Sequence, residues 1–169
     1  MKLIEFLPFE NYVLTTKLSP DEILKRLSEN IEPKKGFSFS LFGTKFTKTY
    51  KGQIRDTSFS MQGNINYRNS FLPQITGLVS SDFGQTQVNI KMRPEISVLI
   101  FMSIWLGVAG FMCIMIAIFC ISDGIFPFPI ILPLPFFAFG YLITFFGFKT
   151  ESKKSKEFLA QLLEGVEKR

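Results

Sequence analysis

The stretch from Ile96 to Phe148 contains a single charged residue, Asp123. It holds 27 uncharged residues before Asp123 and 25 after it. Because a membrane helix needs roughly 20 apolar residues to cross a hydrocarbon core of about 30 Å, this stretch predicts a transmembrane helical hairpin at 96–148. The predicted helices occupy about 96–122 and 130–148, with a turn at 122–126.

Basic residues flank this block on one side of the predicted membrane only. Six Lys and Arg lie close to its two ends, whereas the predicted turn has none. The positive-inside rule then places both termini in the cytoplasm. We therefore expect an integral, two-pass membrane protein in contact with membrane lipids. The flanking residues are Lys91, Arg93, Lys149, Lys153, Lys154 and Lys156.

Residues 1–95 are long enough for one cytoplasmic domain with its own core. Residues 149–169 are predicted to form a cytoplasmic amphipathic helix, because their apolar residues recur at i, i+1, i+4, i+5 and i+8. That face must be covered, and the candidates are the 1–95 domain, a partner protein or the lipid interface. The apolar stripe consists of Phe158, Leu159, Leu162, Leu163 and Val166.

Within 1–95, the segment Ser19-Pro20-Asp21-Glu22 is the clearest local signal. Serine at the N-cap, proline at the first helical position and glutamate three residues after the serine predict a helix start with a capping box. Apolar residues at helical spacing extend this helix over about Pro20–Asn30. A strand is predicted before it, at about Asn11–Leu18.

From Gly36 to Arg93, apolar residues alternate with polar ones, which is typical of strands. The last two strands are predicted at about Gln74–Ser80 and Gln85–Met92, joined by a hairpin turn that contains Gly84. The fold class is therefore α+β: a cytoplasmic antiparallel β-meander of about six strands with one N-terminal helix. The two-helix hairpin and the C-terminal amphipathic helix follow it.

The order of strand, helix, long meander and late helix is similar in outline to that of helix-grip folds. That resemblance implies a domain that encloses an apolar ligand. A membrane hairpin inserted before the final helix departs from the helix-grip pattern.

Small residues form a stripe on each predicted membrane helix. Such stripes let helix backbones approach closely in lipid. Counted from Asp123, the two stripes fall at matching depths, so they are predicted to face each other within one chain or to pack between chains. The stripes are Ser103, Gly107 and Gly110 on the first helix, and Gly140, Thr144 and Gly147 on the second.

Four prolines interrupt the beginning of the second apolar run. Proline fixes φ, removes a hydrogen-bond donor and disfavours helix before it. Residues 126–132 are therefore predicted to be irregular, with regular helix beginning near Pro133 or Pro135.

The side chains available for chemistry are few. The sequence has no histidine, and both cysteines, Cys113 and Cys120, fall within the first predicted membrane helix. Histidine is the commonest general base and nitrogen ligand, and zinc sites otherwise depend on thiolates. The carboxylates form no recognisable acid–base pair. We therefore expect no catalytic residue, no metal site and no cofactor, and we interpret the protein as non-enzymatic.

The segment Arg68-Asn69-Ser70 is the most pointed polar cluster outside the membrane block. Together these side chains could bind an anionic headgroup or a phosphate. The alternative is a bend in which Asn69 and Ser70 satisfy the local backbone. Nucleic acid is not expected as a partner, because 13 Lys and Arg against 9 Asp and Glu in 1–95 are spread along strands rather than clustered.

The leading functional interpretation is a membrane-anchored binding or scaffolding module, or an accessory subunit of a membrane complex. It could engage a protein partner or a second copy through the membrane helices. The alternative is binding of a lipid or small hydrophobic ligand by a helix-grip-like domain at the membrane surface. A deep apolar cavity between sheet and helices would favour the alternative, and a filled core with an exposed apolar patch would favour the module.

Overall fold

The computed structural model describes residues 7–33, 48–65, 69–82, 84–124, 131 and 133–168. Within these residues the fold is α+β, with a mixed seven-stranded sheet and three helices. The strands are β1 (Glu10–Thr16), β2 (Ile31–Pro33), β3 (Tyr50–Arg55), β4 (Ser58–Gly63), β5 (Gln74–Asp82), β6 (Gln85–Arg93) and β7 (Val166–Glu167). The helices are α1 (Pro20–Asn30), α2 (Ile96–Ser122) and α3 (Pro133–Leu162).

The chain divides into two compact units. One contains the described parts of Met1–Glu95 and Phe148–Arg169, and the other is Ile96–Gly147. We refer to them as the α+β unit and the helical unit. The alternation between residues 36 and 47 that predicts a strand lies outside the described residues.

The strand order in the α+β unit is β2-β3-β4-β5-β6-β1-β7. Neighbouring strands are antiparallel except β2 and β3, which are parallel, with Ile31 opposite Tyr50. The prediction of a purely antiparallel meander is therefore wrong at this edge. The reason is topological: α1 carries the chain from β1 across the sheet to its far edge, so β2 runs in the direction of β1 and β3.

Helix α1 occupies the predicted residues, Pro20–Asn30, with Ser19 as its N-cap. The Ser19 Oγ accepts a hydrogen bond from the Glu22 backbone N–H at 3.3 Å, as the capping signal predicts. The Glu22 carboxylate instead accepts a hydrogen bond from Arg26 Nη2 at 3.0 Å, one turn further along the helix.

The β5–β6 hairpin confirms the predicted strand pair and extends it slightly. Asp82 pairs with Gln85, and Gly84 adopts a φ of +79°, a conformation that glycine tolerates without a steric penalty. The inward-facing residues of β6 are all buried, as their spacing predicts. They are Thr86, Val88, Ile90 and Met92.

One face of the sheet carries the core of the α+β unit. Helix α1 contributes Ile23 and Leu27, and the C-terminal part of α3 contributes Leu159, all with no exposed surface. Leu163, just after α3, is equally buried in the same cluster. Burying side chains of this size stabilises the fold by roughly 1.5–3 kcal/mol each. The strand residues of the cluster are Tyr12, Leu14, Ile31, Tyr50, Phe59, Met61, Ile75, Val79, Val88, Ile90 and Met92.

The predicted second membrane helix and the predicted amphipathic helix belong to one helix, α3. It begins at Pro133, where the proline spacing predicts, and ends at Leu162. Val166 is therefore not part of a helical stripe; it lies on β7 and is 74% exposed. The predicted boundary at residue 149 marks a change in composition, from apolar to charged, within a continuous helix.

Among the described helices, α2 alone is long and apolar enough to cross a membrane by length and composition. The uncharged part of α3, Pro133–Phe148, has sixteen residues. At 1.5 Å per residue it is about 24 Å long, shorter than a hydrocarbon core of about 30 Å. Helix length thus supports one membrane span rather than the predicted two. The predicted irregular stretch at 126–132 lies, apart from residue 131, outside the described residues.

A cluster of charged side chains ties α3 to β1. Glu10 accepts hydrogen bonds from Lys149 Nζ at 2.6 Å and from Lys156 Nζ at 2.9 Å. Burial of the Glu10 carboxyl raises its pKa, but these two hydrogen bonds outweigh that effect and hold the pKa below its ordinary value of 4.5. Lys156 Nζ also lies 4.6 Å from the ring centroid of Tyr12. Burial raises the pKa of Tyr12 as well, so its phenol stays neutral.

Replacing Glu10 with Gln should lower the free energy of unfolding at neutral pH by about 1–3 kcal/mol, because Lys149 and Lys156, both partly buried, lose their ion pairs with this carboxylate. A carboxyl whose pKa is lowered in the folded state stabilises above its unfolded pKa and loses that contribution as the pH falls through its folded pKa. The difference between wild type and E10Q, measured by denaturant unfolding in detergent, should therefore shrink below pH 4.5.

The matched control is Glu157→Gln. It removes an exposed carboxylate from α3, the helix that carries Lys149 and Lys156, and it should change stability little. An E10Q effect that stayed constant down to about pH 3 would contradict the ion-pair explanation.

Candidate functional site

The second face of the sheet is uncovered by the helices of the α+β unit. Its side chains alternate with the buried ones along each strand. Across β3, β4, β5 and β6 these outward positions are mostly Ser, Thr, Gln, Asn, Lys and Arg. We call this surface the outward face.

The strand registers arrange the outward side chains in rows that cross the sheet. The first row joins Lys51, Gln62, Gln74 and Arg93, at the end of the sheet where β6 leads into α2. The second row joins Gln53, Ser60, Thr76, Lys91 and Asn11. The third row joins Arg55, Ser58, Leu78, Asn89 and Val13.

Four cations, Lys51, Arg55, Lys91 and Arg93, project from this face. Arg55 donates a hydrogen bond to Gln53 at 3.4 Å, and Arg93 donates one to Gln74 at 3.3 Å. Within the described part of the chain, none of the four forms an ion pair. Their charge is therefore not neutralised by an ion pair with any described residue.

Carboxylates are scarce on the same surface. The strands β1, β3, β4 and β6 place no Asp or Glu at an outward position. Glu32, on the edge strand β2, stands opposite Lys51 and accepts a hydrogen bond from Asn64 at 3.4 Å. The centre of the outward face is thus cationic, with an acidic side chain at one edge.

An open depression of about 710 Å³ lies in this face, and we call it the trough. Gly77, on β5, has no Cβ, and the ring of Phe59 occupies the space on the inner side of the sheet where a Cβ would lie. Two cations, two amides and three hydroxyls offer charge-assisted and neutral hydrogen bonds to a ligand. The trough is lined by Gln53, Arg55, Ser58, Phe59, Ser60, Thr76, Gly77, Leu78, Asn89 and Lys91.

The predicted anion contact at Arg68-Asn69-Ser70 is described only in part, because Arg68 lies outside the described residues. Asn69 Oδ1 accepts a hydrogen bond from the Phe71 backbone N–H at 3.0 Å, and its Nδ2 donates one to Glu151 at 3.2 Å. Ser70 is exposed in a turn. Asn69 thus satisfies local backbone beside a carboxylate, which agrees with the alternative of a structural bend.

In the helical unit, the small residues of α3 lie on the face that packs against α2. Thr144 is buried, and its hydroxyl donates a hydrogen bond to the Gly140 carbonyl at 2.9 Å. A Cβ at Gly140 would lie 2.7 Å from Trp105 Nε1 and 3.5 Å from Met102 Cε. Gly147, the third member of this stripe, is half-buried.

The small residues of α2 mostly lie elsewhere. Ser103 and Gly107 are exposed, and a Cβ at Gly107 would meet nothing within 4 Å. Gly110 alone approaches α3, with its Cβ position 3.6 Å from Phe137. The depth-matched pairing of Gly107 with Gly140 is therefore not observed. Gly140 accommodates the bulky indole of Trp105 instead of a second glycine.

Within the described residues, no group of three or more His, Cys, Asp or Glu is placed to hold a metal ion. The sequence alone does not predict the trough, because its residues come from four strands that are separated along the chain. Their signal is nevertheless visible in the strands themselves: Lys51, Gln53 and Arg55 alternate with buried residues, as do Asn89, Lys91 and Arg93.

Comparison of the chain with protein-family models, with curated proteins and with solved structures finds no match.

Replacing Gly140 with Val should displace Trp105 and lower the free energy of unfolding by about 1–3 kcal/mol, because the packed contact has no room for a side chain. Trp105 is the only tryptophan, so its fluorescence emission reports on this contact directly. The matched control is Gly107→Val, with the same change in helix propensity at an open position. Equal emission shifts in G140V and G107V would contradict this packing.

Proposed function

We propose that this protein is a non-enzymatic, membrane-anchored binding module. In this proposal α2 and the uncharged part of α3 anchor the chain as a two-pass hairpin. Both termini lie in the cytoplasm, and the outward face of the sheet is the interaction surface. The single observation that carries the proposal is the uncovered cationic face, opposite a face that two helices cover.

The composition of the helical unit supports the anchor. Apart from Asp123, no charged residue lies between Ile96 and Gly147. Large apolar side chains are exposed along both helices, including Ile104, Phe111 and Phe139, each 63% exposed. In water this much apolar surface would be costly, and in lipid it is favourable.

In the proposed second span, the uncharged part of α3 crosses the membrane with a helix that is only about 24 Å long. Membranes adapt to a short span by thinning locally, and flanking lysines extend toward the headgroups. Lys153, five residues after the end of the apolar segment, is exposed and can make this extension.

The filled core favours binding on the surface over binding in the interior. The space between the sheet and its helices is occupied by Leu14, Ile23, Met61, Leu159 and other side chains with at most 8% exposure. An enclosed apolar ligand, the alternative that the helix-grip resemblance implies, would need that space. The surface that stands out is polar and cationic rather than the apolar patch expected for a module, so the proposed partner is anionic.

The topology can be tested by cysteine labelling in a Cys113→Ala/Cys120→Ala background. A cysteine at position 123 (Asp123→Cys) should react with a membrane-impermeant maleimide from outside intact cells. A cysteine at position 168 (Lys168→Cys) should react only after permeabilisation. If position 168 also reacted in intact cells, α2 would cross the membrane alone and the two-pass anchor would be wrong.

The interaction surface can be tested by charge reversal in the trough. The Arg55→Glu/Lys91→Glu variant should lose anionic proteins and lipids that co-purify with the wild type in mild detergent, as identified by mass spectrometry. The control, Lys17→Glu/Lys25→Glu, has the same net charge but alters exposed positions outside the trough, and it should retain them. Identical co-purification in all three proteins would refute the outward face as the interaction surface.

A further inference from the structure

We propose that the trough binds the headgroup of an anionic phospholipid of the membrane in which the protein is anchored. This inference rests on the proposed function and names the ligand of its interaction surface. The ligand chemistry is a phosphodiester that bears further polar groups and a net negative charge.

The lining of the trough matches that chemistry. Arg55 and Lys91 supply positive charge from β3 and β6, which lie three strand spacings, or about 14 Å, apart. Between them, Ser60 and Thr76 present hydroxyls, and Asn89 presents an amide. A volume of about 710 Å³ lies within the range of roughly 300–1,000 Å³ for small-ligand sites.

The charges available in the trough are not used within the described part of the chain. Lys91 and Asn89 have no hydrogen bond or ion pair with a described side chain there, and Arg55 contacts only the neutral amide of Gln53. Charge-assisted hydrogen bonds to phosphate oxygens are roughly twice as strong as neutral ones. An anionic headgroup therefore complements this surface better than a zwitterionic one.

The position of the cations along the chain favours a membrane lipid over a soluble anion. Only Pro94 and Glu95 separate β6 from α2. Arg93 lies three residues before Ile96, at most about 11 Å of chain, and Lys91 lies five residues before it, at most about 18 Å. If α2 spans the bilayer, the basic end of β6 is held near the headgroup layer, where each cation gains up to about 1 kcal/mol from anionic lipid.

The experiment uses the full chain in mild detergent and dioctanoyl lipids, with retention measured by native mass spectrometry. Dioctanoyl phosphatidylserine should bind at least about tenfold more tightly than dioctanoyl phosphatidylcholine, because only the former leaves a net negative charge to pair with the cations. The Arg55→Gln/Lys91→Gln variant should lose that preference. The Lys17→Gln/Lys25→Gln variant, which has the same net charge and alters exposed positions outside the trough, should keep it.

Three results would overturn the proposal. Equal affinity for the two lipids would remove the role of charge, and equal loss in both double variants would indicate a non-specific effect of net charge. Glycerophosphoserine that bound as tightly as the dioctanoyl lipid would identify a soluble ester as the ligand. These results would not refute the proposed function. That function fails only if the labelling experiment contradicts the topology or if co-purification is insensitive to R55E/K91E.

Discussion

The α+β unit depends on one requirement, that the apolar face of a seven-stranded sheet be covered from end to end. Helix α1 covers part of it with Ile23 and Leu27, and the C-terminal part of α3 covers the rest with Phe148 and Leu159. The ion pairs of Glu10 with Lys149 and Lys156, and the hydrogen bond from the Thr16 hydroxyl to the Leu163 carbonyl at 2.7 Å, set the position of α3 against β1. Since both helical segments lie on the same face, no described helix covers the opposite face.

That asymmetry is common in antiparallel sheets, and an open polar face alone has no functional meaning. What distinguishes this one is its charge. Among the described residues, the cations Lys51, Arg55, Lys91 and Arg93 have no carboxylate partner. On the helix-covered side, acidic residues form ion pairs, as Glu10, Glu22 and Glu164 do. Charges left unpaired on one surface and paired on the other support an anionic ligand for the first.

The sequence predicts local structure well wherever a short segment carries its own signal. The Ser19-Pro20 start of α1 and the Gly84 turn are confirmed because capping and positive φ depend on a few adjacent residues. The parallel β2 could not be predicted, since three residues ending in Pro33 show no alternation. The continuity of α3 was missed because the change to charged residues at Lys149 alters composition without ending a helix. The trough was missed because its members, from Gln53 to Lys91, meet only through strand pairing.

The place of α3 in the chain also determines the order in which the α+β unit can be completed. Its strands β1 to β6 precede residue 96, but Leu159 and Leu163 follow residue 147. During synthesis the inner face of the sheet therefore carries uncovered apolar surface for the whole time that the ribosome adds the helical unit. Such surface is prone to aggregation, so the sheet stays vulnerable to misassociation until its last helix has been made.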